Sequence, residues 1–513
     1  MAEAPDHVAD NRWQVHLPPG FNPDGLDLTA RRCLPAAWAA VWERTPDAAV
    51  LFADERWWRA EEIEAASRRV AGRLLAMGLR AGDRMLFNAE ASAGLVVAHV
   101  AALRAGLVVV PANTAYRQRE LSHIVHDCHP VAALVDDTER ARWIRAASHD
   151  DISVVGPDLD VRGGRAESGT LDTSAPLDPA LISYTSGTTG APKGAVLTHA
   201  NLLAGTEAVA LSWRWSQSDR LVLALPLYHA HGLCVGLHGT LLTGASAVLL
   251  ARFDADRVLD AVDRHRGTLF FGVPTMYHRL AQSARVGELG GLRLCVSGSA
   301  PLPADLHRHL ARATRQQVLE RYGMTETLMN TSNPYDGERR AGTVGFALPG
   351  VDLRLAGGDS GEILVRGPNV FTGYWRQPVA TTAAMTDGWF RTGDIGRFDA
   401  DGYLRILGRS KELIISGGYN VYPREVEDVM RRHPGVEDVA VVGIPSSEWG
   451  QVVTAFVVAS GRTPSVVELM DFAAAELANY KRPRVIRFVE SLPRNALGKV
   501  LKGDLAESAT ITR

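Results

Sequence analysis

Between Thr185 and Lys193 the chain crowds the hydroxyls of Thr185, Ser186, Thr188 and Thr189 around Gly187 and Gly190, with one ammonium at Lys193. Such a loop suits a polyphosphate: glycines free backbone amides to point at an anion, hydroxyls donate, and the ammonium neutralises charge. The apolar spacing that resumes after Lys193 predicts a helix, whose N-terminus would reinforce the same anion. The loop is not the P-loop pattern G-x-x-x-x-G-K-[ST], because Gly190 is followed by Ala-Pro-Lys193-Gly. Ala180–Tyr184, the apolar run ahead of it, reads as a buried strand and argues against a flexible linker.

Further reactive side chains follow four short apolar runs. Arg220–Pro226 precedes Tyr228-His229, Thr268–Val273 precedes Arg279, Leu292–Val296 precedes Ser297-Gly-Ser299, and Gln317–Arg321 precedes Tyr322-Gly-Met-Thr325-Glu326. Only elements that share an edge could bring these groups into one crevice. A largely parallel sheet does so, because its ligands gather at the carboxyl ends of the strands. Helical stretches such as Glu61–Leu75 alternate with apolar runs such as Arg84–Asn88 and Gly106–Val110, which is the α/β pattern. Beyond residue 350 the texture becomes strand and turn, as in Gly361–Gly367 and Gly402–Gly408. The last hundred or so residues carry their own strand and helix signals, Asp438–Gly443 and Ser465–Phe472. The expected architecture is α/β: a large N-terminal domain, 1–409, of parallel-sheet subdomains plus a β-rich subdomain, and a small α+β C-terminal domain, 410–513.

Length and composition fit this division. A chain of 513 residues exceeds one ordinary core, and 46% hydrophobic with 22% charged residues is a globular profile. A net charge of −3 gives no footprint for nucleic acid or an anionic membrane. Cys33, Cys128, Cys234 and Cys295 are far apart, which argues against a zinc site or a disulfide framework and for a reducing compartment. The N-terminus lacks an apolar signal core and no run reaches the length of a membrane span, so a cytoplasmic location is expected.

Six motifs in order carry a resemblance: the Thr185–Leu202 stretch, Tyr322-Gly-Met-Thr-Glu326-Thr, Arg391-Thr-Gly-Asp394, Gly408-Arg409-Ser-Lys411, Ser416–Pro423 and Pro493-Arg-Asn-Ala-Leu-Gly-Lys499. Together they resemble the adenylate-forming superfamily of acyl-CoA synthetases, carrier-loading adenylation domains and luciferases. The resemblance implies ATP with Mg2+, an acyl-adenylate, release of pyrophosphate, and a mobile C-terminal domain that turns before the acyl group passes to a thiol, here that of coenzyme A. It implies that Thr185, Ser186, Thr188, Thr189 and Lys193 bind the β- and γ-phosphates, that Thr325 contacts the α-phosphate and that Glu326 holds the metal. Asp394, assisted by Arg409, would bind the ribose, and Lys499 would bridge carboxylate and α-phosphate during adenylation. Lys411 matches the hinge, Gly417 and Gly418 the pantetheine tunnel, and Lys499 is a candidate for lysine acetylation.

The segments Pro274–Arg279, Val296–Pro303 and Leu319–Ser332 resemble malonyl-CoA synthetases in particular. That resemblance assigns Arg279, Ser299 and Arg321 to the distal carboxylate of a small dicarboxylic acid, malonate or methylmalonate. Two guanidiniums beside a hydroxyl suit such a group, since a fork of N–H donors binds carboxylate bidentately. The competing structural reading has Arg279 facing solvent and Arg321 paired with an internal glutamate. Tyr228-His229 and His231 sit where relatives place an aromatic gate or the acyl-pocket wall, and a packing role fits them as well as contact with substrate; His229 is the one taken as a candidate substrate contact. A ligase for another small acid, a carrier-loading enzyme and a nucleotide-binding protein without catalysis are the other readings; Glu326, Asp394 and Lys499 weigh against the last. The first ~40 residues match nothing in the family and carry no expectation.

Overall fold

The computed structural model describes residues 7–8, 12–148, 151–159, 170–185, 192–446, 448–495 and 498–511. Ser186, Thr188 and Thr189 therefore lie outside the described residues.

The chain forms two compact units. The larger comprises Asp10–Asp352 and Val365–Phe390, and the smaller Met1–Ala9, Leu353–Leu364 and Arg391–Arg513. This grouping puts residues 353–364 and 391–409 with the C-terminal segment, whereas the sequence reading cut the chain at Ser410. The ladder between strands Trp389–Phe398 and Leu404–Arg409 holds residues 391–409 together on the N-terminal side of that cut.

Two sheets dominate the larger unit. Among the described residues one has nine strands, and its centre is the run Leu319–Tyr322, Leu294–Ser297, Leu269–Gly272 and Arg220–Leu223. These four are parallel neighbours, so their carboxyl ends, with the reactive side chains that follow, lie along one sheet edge as expected. Val, Leu, Phe and Cys fill both faces of these strands, the composition of a sheet covered on both sides. The other sheet has seven strands, including Arg84–Asn88, Val108–Pro111 and Pro179–Thr185.

The expectation of a helix directly after Lys193 is overturned. Lys193–Thr198 is a strand, antiparallel to Pro179–Thr185 with Thr185 opposite Lys193. Ala195-Val-Leu-Thr fits a pleated, buried surface, and Ile182 and Tyr184 crowd Gly194 so closely that its Cβ-less backbone is needed there. The helix begins only at His199, capped by Thr198, whose Oγ1 accepts from Asn201 N at 3.1 Å. Residues 186–191 thus connect two antiparallel strands, and no helix N-terminus follows them directly.

In the smaller unit a β-rich sheet contains Asp352–Ala356, Ser360–Arg366, Trp389–Phe398 and Leu404–Arg409. The N-terminal strand His7–Val8 adds an antiparallel edge at Arg354 and Leu355, giving part of the unassigned N-terminus a structural place. A separate five-stranded sheet includes Val436–Ser446 and Gly450–Ala459, packed by helices Pro423–Met430 and Val466–Glu476 around Val441, Val453, Leu469 and Ala473. No helix among the described residues is long and apolar enough to cross a membrane.

Candidate active site

Arg321 occupies the third position of the Leu319–Tyr322 strand. Register puts Phe271 opposite Val296 and Val296 opposite Leu319. With a two-residue period, Gly298 and Arg321 therefore share the face that carries Phe271. The Arg321 side chain lies directly on Gly298, where a Cβ would come within 2.3 Å of Nε and 2.4 Å of Cζ. Only glycine leaves room for it.

Arg321 is 4% exposed, and its Nε and Nη2 are buried without a hydrogen-bond partner. Pairing with an internal glutamate, the structural alternative, is not what the core provides; neighbouring Glu320 instead accepts from Leu302 N at 2.9 Å. Burial lowers the Arg321 pKa to about 9, which leaves it charged at neutral pH. Arg279 differs: it is exposed in the last turn of helix Pro274–Ala281, where a cation suits the helix dipole. Ser299 is also exposed and holds φ at +69°, a left-handed conformation uncommon for a serine.

His231 begins a π-helical turn, His231–Leu237, a form often found at functional sites. Its ring stacks on Phe271 at 6.3 Å between centroids, and both ring nitrogens are buried with no partner. Burial, with the Arg321 and His229 charges, holds its pKa well below the usual histidine value, so the imidazole is neutral. His229, the histidine the sequence reading preferred, is only partly exposed, and burial lowers its pKa to about 4. The sequence reading left His231 between packing and contact with substrate. No residue pattern carries the information that both nitrogens lack a partner in the folded chain.

Thr325 and Glu326 lie in the loop that connects Leu319–Tyr322 to the antiparallel strand Thr331–Ser332. Asn330 N donates to Tyr322 O at 2.9 Å and closes the loop. A Cβ on Gly323 would fall 2.0 Å from Leu328 O, which explains the glycine between Tyr322 and Met324. Asn369 Nδ2 clamps the loop's far side, donating to Thr327 O at 2.6 Å. Glu326 is buried and accepts from Tyr374 Oη at 3.0 Å. Lys193 Nζ stands 5.0 Å from the centre of the same tyrosine ring. Among the described residues no group of three or more His, Cys, Asp or Glu gathers to hold a metal. A lone carboxylate nonetheless fits Mg2+, which is commonly bound through one or two carboxylates plus substrate phosphates.

The smaller unit places Asp394 opposite Arg409 in register, with Arg409 Nε 3.2 Å from Asp394 Oδ1. Lys499 follows a tight turn in which Gly498 has φ +75° and Asn495 Oδ1 accepts from Lys499 N at 3.0 Å. This accounts for the Asn-x-x-Gly-Lys spacing. Burial and the Arg409 charge lower the Lys499 pKa, opposed by Glu412 and Asp394, so the three expected residues are within electrostatic reach of one another. Lys411 is exposed in the 3-10 turn Ser410–Glu412. Gly417 and Gly418, at φ +59° and +82°, form the two-residue connection between strands Ile414–Ser416 and Tyr419–Val421. A type I′ hairpin turn requires positive φ at both central positions, so the turn alone accounts for these glycines.

Residues 38–375 match the family model described as AMP-binding enzyme, and residues 425–499 that of the AMP-binding enzyme C-terminal domain. The chain belongs to the AMP-binding enzyme family. Feruloyl-CoA synthase from Amycolatopsis sp is 38% identical over 461 residues, covering 86% of this chain and 92% of that protein. The 3-[(3aS,4S,7aS)-7a-methyl-1,5-dioxo-octahydro-1H-inden-4-yl]propanoyl:CoA ligase of Mycobacterium tuberculosis is 37% identical over 502 residues, covering 93% and 99%. Among solved structures, ATP-bound MatB from Rhodopseudomonas palustris superposes with a TM-score of 0.87 at 41% identity, covering 92% of this chain and 98% of that one. This AMP-binding enzyme is therefore an AMP-forming acyl-CoA ligase that works through an acyl-adenylate.

Proposed function

We propose that this ligase joins a short dicarboxylic acid, malonate or methylmalonate, to coenzyme A. The observation that carries the reading is the Arg321 guanidinium, charged, enclosed and short of acceptors. An unpaired charge inside a protein costs several kcal/mol. A ligand carboxylate forked onto Arg321 supplies the missing acceptors, and neutral His231 can donate one further N–H to it. Arg279 and Ser299 are assigned to the more open side of the same carboxylate, and His229 to the pocket wall. Only three residues separate Arg321 from Thr325, in a loop folded back on itself, which favours an acid with few carbons between its carboxylates. Similarity to MatB supports the reading. The names of the curated relatives favour a second one, a ligase for a larger monocarboxylic acid.

In the first half-reaction a carboxylate oxygen bonds to the α-phosphorus of ATP while the bond to pyrophosphate breaks. In the second, the thiol of coenzyme A loses its proton, its sulfur bonds to the acyl carbon, and AMP leaves. We assign Thr185, Ser186, Thr188, Thr189 and Lys193 to the β- and γ-phosphates, Thr325 to the α-phosphate, and Asp394 with Arg409 to the ribose. Glu326 would hold Mg2+, which when bound neutralises charge on the phosphates. Lys499 is assigned to the first half-reaction, Lys411 to the hinge, and Gly417 and Gly418 to the pantetheine path. Acetylation of Lys499 would remove the charge its role needs, and a cytoplasmic setting suits the substrates.

The test is pyrophosphate release, with and without coenzyme A, across malonate, methylmalonate, succinate, butyrate, acetate and ferulate. Malonate or methylmalonate should give the highest kcat/KM with coenzyme A present. Preference for butyrate or ferulate would replace the dicarboxylate reading with the second one, and release indifferent to coenzyme A would point to a different acceptor.

A further inference from the structure

Tyr374 was not among the residues singled out by chemistry, yet it touches two that were. It ends the two-residue strand Gly373–Tyr374, antiparallel to Lys193–Thr198 with Tyr374 opposite Ala195. Its N donates to Thr381 Oγ1 at 2.9 Å, and its ring meets Phe371 edge-on at 4.9 Å between centroids. Phe371 N in turn donates to Glu326 O at 2.8 Å, so the tyrosine and the Glu326 backbone are fixed to one frame. The phenol donates to Glu326 Oε1 at 3.0 Å, while Lys193 Nζ stands 5.0 Å from the ring centre, within cation–π range.

We propose that Tyr374 is a positioning residue that holds Lys193 and Glu326 apart, aiming the carboxylate and keeping the ammonium available for phosphate. An ammonium at a strand start and a carboxylate on a nearby loop attract strongly in a site shielded from water, and a direct pair would neutralise both groups that ATP and its metal need. The ring offers the ammonium a weak partner that a polyphosphate readily displaces. The hydroxyl gives the carboxylate a directed donor, as metal-binding carboxylates usually have. The inference rests on the assignment of Glu326 to the metal and is independent of which acid is the substrate.

Titration calorimetry of ATP binding to the full-length protein, with and without Mg2+, tests it in wild type, Tyr374→Phe, Tyr374→Leu, Glu326→Gln and the Tyr374→Leu/Glu326→Gln double variant. Phe keeps the ring and the Phe371 contact and loses only the hydroxyl. It should leave metal-free ATP affinity within about twofold and raise the Mg2+ needed to strengthen binding roughly 10-fold, the lower end of the effect of losing a ligand's supporting partner. Leu should also weaken metal-free ATP binding, because Lys193 then pairs with Glu326. Adding Glu326→Gln to Leu should restore that binding, which a merely structural tyrosine has no reason to do. An unchanged Mg2+ response in Tyr374→Phe, or no recovery in the double variant, would overturn the proposal. Glu326→Gln alone separates the premise: if it leaves the Mg2+ response intact, the metal assignment itself fails.

Discussion

Arg321 and Gly298 act as one unit at the level of single residues. The guanidinium occupies the space a Cβ on residue 298 would need, so Gly298→Ala must displace a buried charge that has nowhere open to go. The expected outcome is a fall of at least tenfold in kcat/KM for malonate with a smaller fall for butyrate, measured side by side. Equal losses for both acids would mean that the glycine serves packing alone. The sequence showed the Ser-Gly-Ser triplet and the arginine but not their contact, because the 23 residues from Ser299 to Arg321 contain a whole helix and cross from one strand to the next. Burial likewise separates Arg279 from Arg321, two arginines of identical chemistry. Only the packed sheet reveals that one is exposed and the other enclosed.

Elements were legible where periodicity and flanking polar groups agreed. The four strands that gather the reactive side chains fall within a few residues of their expected places, since a buried parallel strand reads as a short continuous apolar run. Periodicity failed after Lys193: the five residues 194–198 suit a strand or the start of a helix equally, and the cross-strand partner decides. The Lys499 turn was legible as a motif, and the structure adds the Asn495 bond that shapes it. This turn and the Ser410–Glu412 link are proposed to serve different half-reactions. Lys499→Ala should abolish most adenylate formation and largely spare thioester formation from supplied acyl-adenylate. Lys411→Pro should do the reverse, because fixing φ near −65° removes freedom a hinge needs. Separate assays of the two half-reactions decide it, and equal loss in both for either variant would contradict its assignment.

At the scale of the whole molecule, neutral buried histidines tie stability to pH. Burial lowers the pKa of His16 and His199 to about 4 and of His99 to about 3, and that of His238 falls well below the usual value. The unfolded chain, with histidines near 6.5, binds protons that the folded chain refuses, so stability is complete above pH ~6.5 and declines as pH falls toward ~4. Melting temperature should therefore drop between pH 6.5 and 5, and a flat profile over that range would contradict the burial of these rings. Arg321 sets the opposite balance. Its unpaired charge weakens the empty enzyme, so Arg321→Met should raise the melting temperature, as replacing a buried charge by an apolar side chain often does. The same substitution removes one partner of the charge pair with the substrate, a loss of about 2–5 kcal/mol, or roughly 30- to several thousand-fold. The decisive measurement is the malonate to butyrate ratio of kcat/KM in wild type and Arg321→Met. The dicarboxylate reading predicts that the ratio collapses by at least roughly 30-fold while the variant melts no lower than wild type. An unchanged ratio would contradict it and make Arg321 a structural residue.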